Sequence, residues 1–271
     1  MGFDFIERSN SKGQPSVLYE FTIGDHRWGY TNAENDVVVL GQLYLSAAIS
    51  DNGLTLSGDS QNDDFNITMP ATAEFTTLFQ GPMPGETIYC TVRLINRGDT
   101  QAPVAWVGTV KQGTRKDKLS FEVTCKALSS SLNRNGLRLA WGRGCPHALY
   151  DRGCQANPAA FAVAVQIQGL TGATVTSSSF ESLPHNYLSG GYIEFEILAG
   201  VTERRAIEAH GGNYIMLLGT TEGLSTMDWI VVYPGCDRTS STCQGKFNNL
   251  SNYGGFPHLP NKSPFDGDPV F

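Results

Sequence analysis

Six cysteines are spread unevenly along the 271 residues, and their surroundings sort them into two kinds. Cys90 and Cys125 each fall on the apolar phase of an alternating run: Ile88, Cys90, Val92, Leu94 and Leu119, Phe121, Val123, Cys125. A thiol there is a small core hydrophobe. The other four form two pairs in polar, Gly-flanked segments. One is Gly144-Cys145-Pro146-His147-Ala148-Leu149-Tyr150-Asp151-Arg152-Gly153-Cys154, the other Pro234-Gly235-Cys236-Asp237-Arg238-Thr239-Ser240-Ser241-Thr242-Cys243. Loop backbone can wrap an ion and offer N–H groups to sulfur, as a thiolate ligand requires. Four cysteines in two loops suit an all-thiolate site for zinc or an iron–sulfur cluster; two disulfides or free thiols are the remaining readings. Structural zinc favours tight knuckles of roughly two to four intervening residues. The gaps here are eight and six residues, which suits a larger object.

The residues around the pairs follow from that chemistry. Lys246, Arg238, Arg143 and Arg152 lie close to the cysteines in sequence. Cations there would offset the charge of four thiolates, although ordinary solvated loop charge is the plainer reading. Phe247, Tyr253 and Phe256 are read as an apolar lid over the site. His147 and His258, each beside a proline, are read as packing residues, because four cysteines already complete a site. Gly254-Gly255 marks a tight turn with positive φ.

The elements that must position these residues are mostly strands. Val17, Tyr19, Phe21 and Ile23 alternate as a half-buried strand does. Further strands are expected at Asp36 to Leu45, Leu54 to Leu56, Phe65 to Met69, Val104 to Val110 and along the two cysteine-bearing runs. Pro70 predicts one short helix ending near Gln80. Turn signals recur throughout, which suits an antiparallel sandwich or barrel. Near Ser129 to Asn135 the composition turns polar, marking a boundary. After it, the run Ala159 to Val165 has strand length, and strands are expected at Tyr192 to Ile197, Tyr214 to Leu218 and Asp228 to Tyr233. From Pro234 onward Gly, Asn, Pro and Ser dominate without a period, but Phe247, Tyr253, Phe256 and Phe265 give anchors. The expected organisation is an N-terminal β domain (1–135), a first cysteine-pair loop (136–158), a second β domain (159–232) and a cysteine-pair tail (233–271). The chain reads as mainly β, with barrel- or sandwich-like domains and a loop-rich C-terminal segment pinned by a metal centre.

Composition narrows the function. A net charge of −7 argues against nucleic-acid binding by a broad basic face. No run approaches the roughly 18 apolar residues of a membrane span. Met1 to Glu7 show no basic region followed by an apolar stretch, so the cysteines are read in a reducing compartment. The sequons at Asn66, Asn249 and Asn261 are then chance matches. No G-x-S-x-G, H-E-x-x-H, phosphate loop or G-x-G-x-x-G is present. The most obvious acidic pair, Asp63-Asp64, reads as a solvated loop. The expectation is a protein that is not an enzyme.

Beyond these residues, the C-terminal segment resembles a known motif. Cys236-x6-Cys243, Lys246-Phe247-x-Asn249 and Asn252-Tyr253-Gly254-Gly255-Phe256 look like the C-terminal motif of phage tail tip proteins, of which the lambda tail tip protein L is one. Cys145-Pro146-His147-x6-Cys154 and Gly255-Phe256-Pro257-His258-x-Pro260 are similar to the hub proteins of gene transfer agents. The resemblance implies that Cys145, Cys154, Cys236 and Cys243 hold a [4Fe–4S] cluster, with zinc as the alternative, and that Lys246, Phe247 and Phe256 form its environment. It implies β-barrel-like hub domains with a β domain inserted between the cysteine pairs. It also implies a structural virion protein at the tail tip, assembled in the host cytoplasm. Implied partners are a homotrimer of the chain, the distal tail protein, a central fibre or megatron-like receptor-binding protein, and the tape measure protein, with no sequence-specific nucleic acid. Competing readings are a structural zinc tail protein, an iron–sulfur redox enzyme, a wall-degrading component, or a carbohydrate-binding sandwich. Clustering of Trp106, Trp141 and Trp229 on one exposed face would support the last.

Overall fold

The alternation of Val17 to Ile23 produces β1 (Pro15–Ile23), which turns at Gly24-Asp25 into β2 (His26–Thr31). The computed structural model describes residues 15–54, 64–79, 81, 83–98, 101–133 and 141–259. Its contacts divide it into two units: residues 1–134 with 196–203, and residues 135–195 with 204–271. No helix among the described residues is long and apolar enough to cross a membrane.

The first unit is a curled nine-stranded sheet. Besides β1 and β2 it contains β3 (Val37–Val39), β4 (Gln42–Ser46), β5 (Ser50–Asp51), β6 (Asp64–Pro70), β7 (Tyr89–Asn96), β8 (Val104–Arg115) and β9 (Ser120–Ala127). Their order is β3-β4-β2-β1-β7-β8-β9-β6-β5. The concave face encloses Tyr19, Phe21, Ile67, Phe75, Val92, Phe121 and Val123. Phe75 stacks on Phe21 at 4.1 Å between ring centres. Cys90 and Cys125 are both fully buried in this core, as expected of apolar-phase thiols. Burial pushes the Cys90 thiol up, and the facing Cys125 adds to the shift.

Three local expectations are corrected. Asp36 to Leu45 is a hairpin, not one strand, because Leu40 and Gly41 both turn left-handed at φ 53° and 75°. Those angles make a two-residue turn whose twist suits antiparallel strands. Its second strand then pairs parallel with β2, so the sheet is not wholly antiparallel. The helix expected from Pro70 is a 3-10 stretch, Glu74–Phe79, with Pro70 closing β6; Gln80 lies outside the described residues. Leu54 is not in a strand, and residues 55–56 lie outside the described set.

The second unit is built on a seven-stranded sheet, of whose strands residues 196–203 count with the first unit: β10 (Val163–Gln166), β11 (Gly169–Thr171), β12 (Thr174–Thr176), β13 (Tyr192–Leu198), β14 (Val201–Gly211), β15 (Tyr214–Leu217) and β16 (Trp229–Tyr233). The order is β10-β16-β13-β14-β15-β12-β11. The run Ala159 to Val165 opens as a 3-10 turn, Pro158–Ala160, rather than a strand. Asn157 caps it by accepting the Ala159 N–H at 3.1 Å, and Pro158 suits its first position. The C-terminal segment contains an eight-residue α-helix, Ser240–Phe247, where a loop was expected. Thr239 caps its start, accepting the Thr242 N–H, and Asn248 ends it left-handed at φ 47°.

Candidate functional site

All four loop cysteines line one cavity of about 180 Å³ within the second unit. The wall also includes His147, Ala148, Leu149, Arg238, Phe247, Asn249 and Tyr253. Cys243 is buried and the other three are half-buried; all four are free thiols. Among the described residues no three His, Cys, Asp or Glu side chains converge tightly enough to ligate a single ion. All four cysteines belong to the wall of this one cavity.

Each cysteine is placed by local backbone chemistry. Asp151 accepts N–H bonds from Gly153 at 2.8 Å, Cys154 at 2.6 Å and Ala148 at 3.1 Å, wrapping the first loop round one carboxylate. The bond from Cys154 leads in holding that carboxyl below its ordinary range. Asp237 does the same before the helix, bonding Thr239 and Thr242. Partial burial raises its carboxyl, but those bonds outweigh it and hold it low. Tyr150, Gln155, Arg238 and Asn248 all take left-handed φ between 47° and 65°, so non-glycine strain gathers beside the cysteines.

Donors point at three of the sulfurs. The Arg238 N–H lies 3.3 Å from Cys236 Sγ, the Gly254 N–H 3.4 Å from Cys145 Sγ, and Asn249 Nδ2 3.7 Å from Cys154 Sγ. The Cys243 thiol instead donates to the Asn249 carbonyl at 3.2 Å. Burial pushes the Cys236 and Cys243 thiols up, and the neighbouring cysteines add to it. A thiol must lose its proton before it can ligate a metal.

The two sequence-distant segments are knit by polar contacts. Cys145 N–H donates to Arg238 O at 2.9 Å, and Phe256 N–H to Gly142 O at 2.9 Å. The Tyr253 hydroxyl donates to Arg143 O at 2.6 Å, and the Tyr150 hydroxyl to Pro234 O at 3.2 Å. His147 is wedged between Gly153 and Gly254: a Cβ at either would collide with its ring.

The environment residues separate. Phe247 lines the cavity and packs edge-on against Phe161 at 5.1 Å and Tyr150 at 6.1 Å. Lys246 does not line it. Its ammonium bonds the Tyr187 and Gly235 carbonyls, the latter at 2.6 Å and one residue before Cys236. Burial lowers its pKa, while Cys236 and Asp237 pull it back up. Phe256 lies outside the cavity wall and stacks on the exposed Trp141 at 4.5 Å. Phe265 and the sequon at Asn261 lie outside the described residues. Trp106 packs on Phe65 at 4.8 Å against the first unit's core, so the three tryptophans do not share one exposed face. Of the acidic pair, Asp64 faces Lys126 at 3.5 Å and Asp63 lies outside the described residues. Sequence reasoning gave Asn249 no role beyond its place in a motif, yet it is buried and touches both cysteine pairs.

Comparison with known proteins adds four findings. Residues 16–157 match the family model described as "Baseplate hub protein, N-terminal attachment domain". Residues 186–263 match "Phage conserved hypothetical protein BR0599". Each match carries one cysteine pair. An uncharacterized protein of Xylella fastidiosa (strain 9a5c) is 26% identical over 185 residues, 63% of this chain and 38% of that protein, so the chain spans well under half of that relative. Among solved structures, a chain of the virion of a native gene transfer agent particle superposes with a TM-score of 0.80 at 18% identity, covering 98% of this chain and 95% of that one. The two share a fold.

Proposed function

The chain belongs to the family of baseplate hub proteins with this N-terminal attachment domain, and we propose that it is a structural, non-enzymatic hub at the tail tip of a siphophage or gene-transfer-agent-like particle. In this reading it assembles as a homotrimer in the host cytoplasm. It bridges the distal tail protein to a central fibre or megatron-like receptor-binding protein, near the tape measure protein.

The same reading assigns a structural [4Fe–4S] cluster to Cys145, Cys154, Cys236 and Cys243. The observation that carries it is that these four, from segments far apart in sequence, line a single cavity. The residues fit the group. The donor set is all sulfur, three sulfurs face N–H donors, and the wall is otherwise apolar or polar without a carboxylate. When bound, a structural centre supplies folding free energy, on the order of 10 kcal/mol.

The test is iron and acid-labile sulfide analysis with a visible spectrum on anaerobically purified protein. About four iron and four sulfide per chain, lost together in Cys236→Ser along with tail assembly, is the expected result. One zinc per chain and no colour refutes the cluster. An unchanged melting temperature and unchanged assembly in Cys236→Ser refutes its structural role.

A further inference from the structure

Two residues join a cysteine of one pair to a cysteine of the other. Arg238 does so through its backbone: its N–H faces Cys236 Sγ at 3.3 Å and its carbonyl accepts the Cys145 N–H at 2.9 Å. Asn249 joins the remaining two, Cys154 and Cys243, and it uses its side chain. Its amide Nδ2 donates to the Cys154 carbonyl and lies 3.7 Å from Cys154 Sγ. Its backbone N–H bonds the Cys243 carbonyl at 3.0 Å, and its carbonyl accepts the Cys243 thiol at 3.2 Å. Asn252 Nδ2 donates to Asn249 Oδ1 at 2.7 Å. An amide oxygen accepts and an amide nitrogen donates, so this bond fixes which end of Asn249 faces Cys154. The residue is buried, so its donor has no water to turn to instead.

We propose that Asn249 is the positioning residue of the cysteine site, its amide holding Cys154 in register with Cys243 and setting how tightly, and at what potential, a bound cluster is kept. This rests on the cluster reading above. A donor aimed at a ligand sulfur draws off charge and favours the reduced cluster. Residues that orient ligands from behind typically change metal affinity by roughly 10–100-fold when removed. Asn249→Ala deletes only the side-chain half of this knot. It leaves all four cysteines and the Asn249 carbonyl in place.

The experiment compares wild type, Asn249→Ala and Asn252→Ala, all purified anaerobically. Three quantities are measured: iron and sulfide content, the rate of iron release to a chelator, and the cluster midpoint potential by dye-mediated titration. Asn249→Ala is expected to release iron about tenfold faster. Its potential is expected to fall by about 59 mV, a tenfold change in a one-electron equilibrium. Asn252→Ala keeps the amide but frees its orientation, so both changes appear with the same sign and smaller size. It carries the test if Asn249→Ala fails to fold. Wild-type release and potential in the variants overturn the proposal. So does a lowered melting temperature with neither quantity changed, which makes Asn249 a packing residue only. Wild-type protein without iron and sulfide instead refutes the cluster reading beneath it.

Discussion

His147 follows Cys145-Pro146 and sits with one edge against Gly153 and the other against Gly254. A Cβ built on Gly254 meets Nε2, Cδ2 and Cε1 of the ring; one built on Gly153 meets Nδ1, with Cε1 at 2.7 Å and Cγ at 2.9 Å. Contacts under 3.0 Å force something to move. The ring is blocked on the opposite side by the other glycine, so it cannot swing away. Neither glycine has a positive φ, and nor does Gly255, contrary to the turn expected at Gly254-Gly255, so Gly254→Ala carries no backbone penalty beyond this clash. Overpacking of a filled site costs about 1–3 kcal/mol, and the middle of that range applies to a ring held on both sides. At roughly 3–6 °C per kcal/mol for a unit of this size, a cost of about 2 kcal/mol lowers the melting midpoint of the second unit by roughly 6–12 °C. The discriminating assay is a double-mutant cycle in calorimetry. His147→Ala removes the ring the new methyl strikes, so the double variant is expected to melt above Gly254→Ala alone, with a coupling of about 1–2 kcal/mol. Gly142→Ala, whose added Cβ meets nothing within 4 Å, serves as the control. Additive losses, or a Gly254→Ala midpoint equal to wild type, would falsify the wedge.

Other substitutions test the frame around the site. Phe75 is fully buried between Phe21, Trp28 at 5.6 Å and Phe79 at 5.3 Å, so Phe75→Ala should cost about 3–5 kcal/mol in denaturant unfolding of the first unit; a loss below about 1 kcal/mol would contradict that packing. Gly245 lies inside the C-terminal helix with open space around an added Cβ; Gly245→Ala should stabilise by about 0.5–1 kcal/mol, and a loss of melting temperature would show a hidden contact. Burial of Glu20 raises its carboxyl, but hydrogen bonds from Arg27 and Tyr44 outweigh it and leave the pKa low. A depressed carboxyl stabilises above its unfolded pKa, near about 4.3, and that stability fades as pH falls through the folded value. Melting curves from about pH 7 to about pH 3 should therefore converge for wild type and Glu20→Gln at the acid end; a constant offset would rule the linkage out.

The strands that read clearly from sequence are those whose inward positions are apolar. β1, β6, β7 and β9 bury alternate residues along their central positions, so period and structure coincide. β14 was not legible because Glu203 and Arg205 occupy inward positions between Val201 and Ile207. Each is satisfied by a specific partner: Glu203 accepts the Gly85 N–H at 2.9 Å, while Arg205 bonds Thr220 O at 2.8 Å and lies over Phe195 at 4.9 Å. Such compensation comes from chain far away in sequence and leaves no local period. The C-terminal helix escaped for a related reason. Ser240-Ser241-Thr242 are poor helix formers, and no apolar stripe runs along it. Its legible signals were the Thr239 cap and the Asn248 stop. The cysteines were legible as two pairs. Asn249 was not legible as a link, because what distinguishes it is the direction of its amide, which follows from Asn252.

The polar contacts between the cysteine segments change what a metal centre would have to do here. Four bonds accepted by backbone carbonyls join residues 142–150 to residues 234–256: Cys145 to Arg238, Phe256 to Gly142, Tyr253 to Arg143 and Tyr150 to Pro234. Each contributes about 1 kcal/mol net, so together they approach half of the roughly 10 kcal/mol a structural metal supplies. Against them stands the left-handed backbone at Tyr150, Gln155 and Arg238, costing about 1–3 kcal/mol apiece. At the low end of that range the hydrogen bonds offset the strain and at the high end the strain is about twice their sum, so hydrogen bonding alone does not secure these loops. In the proposed reading a metal centre would decide whether they close: the polar contacts specify where the four cysteines stand, and metal bonds would hold them there. Chelation should accordingly loosen the 142–155 and 234–256 segments while leaving the sheet of β13 and β16 protected, which hydrogen exchange would read directly; uniform loss of protection across the second unit would place the centre in the core of its folding rather than at its closure.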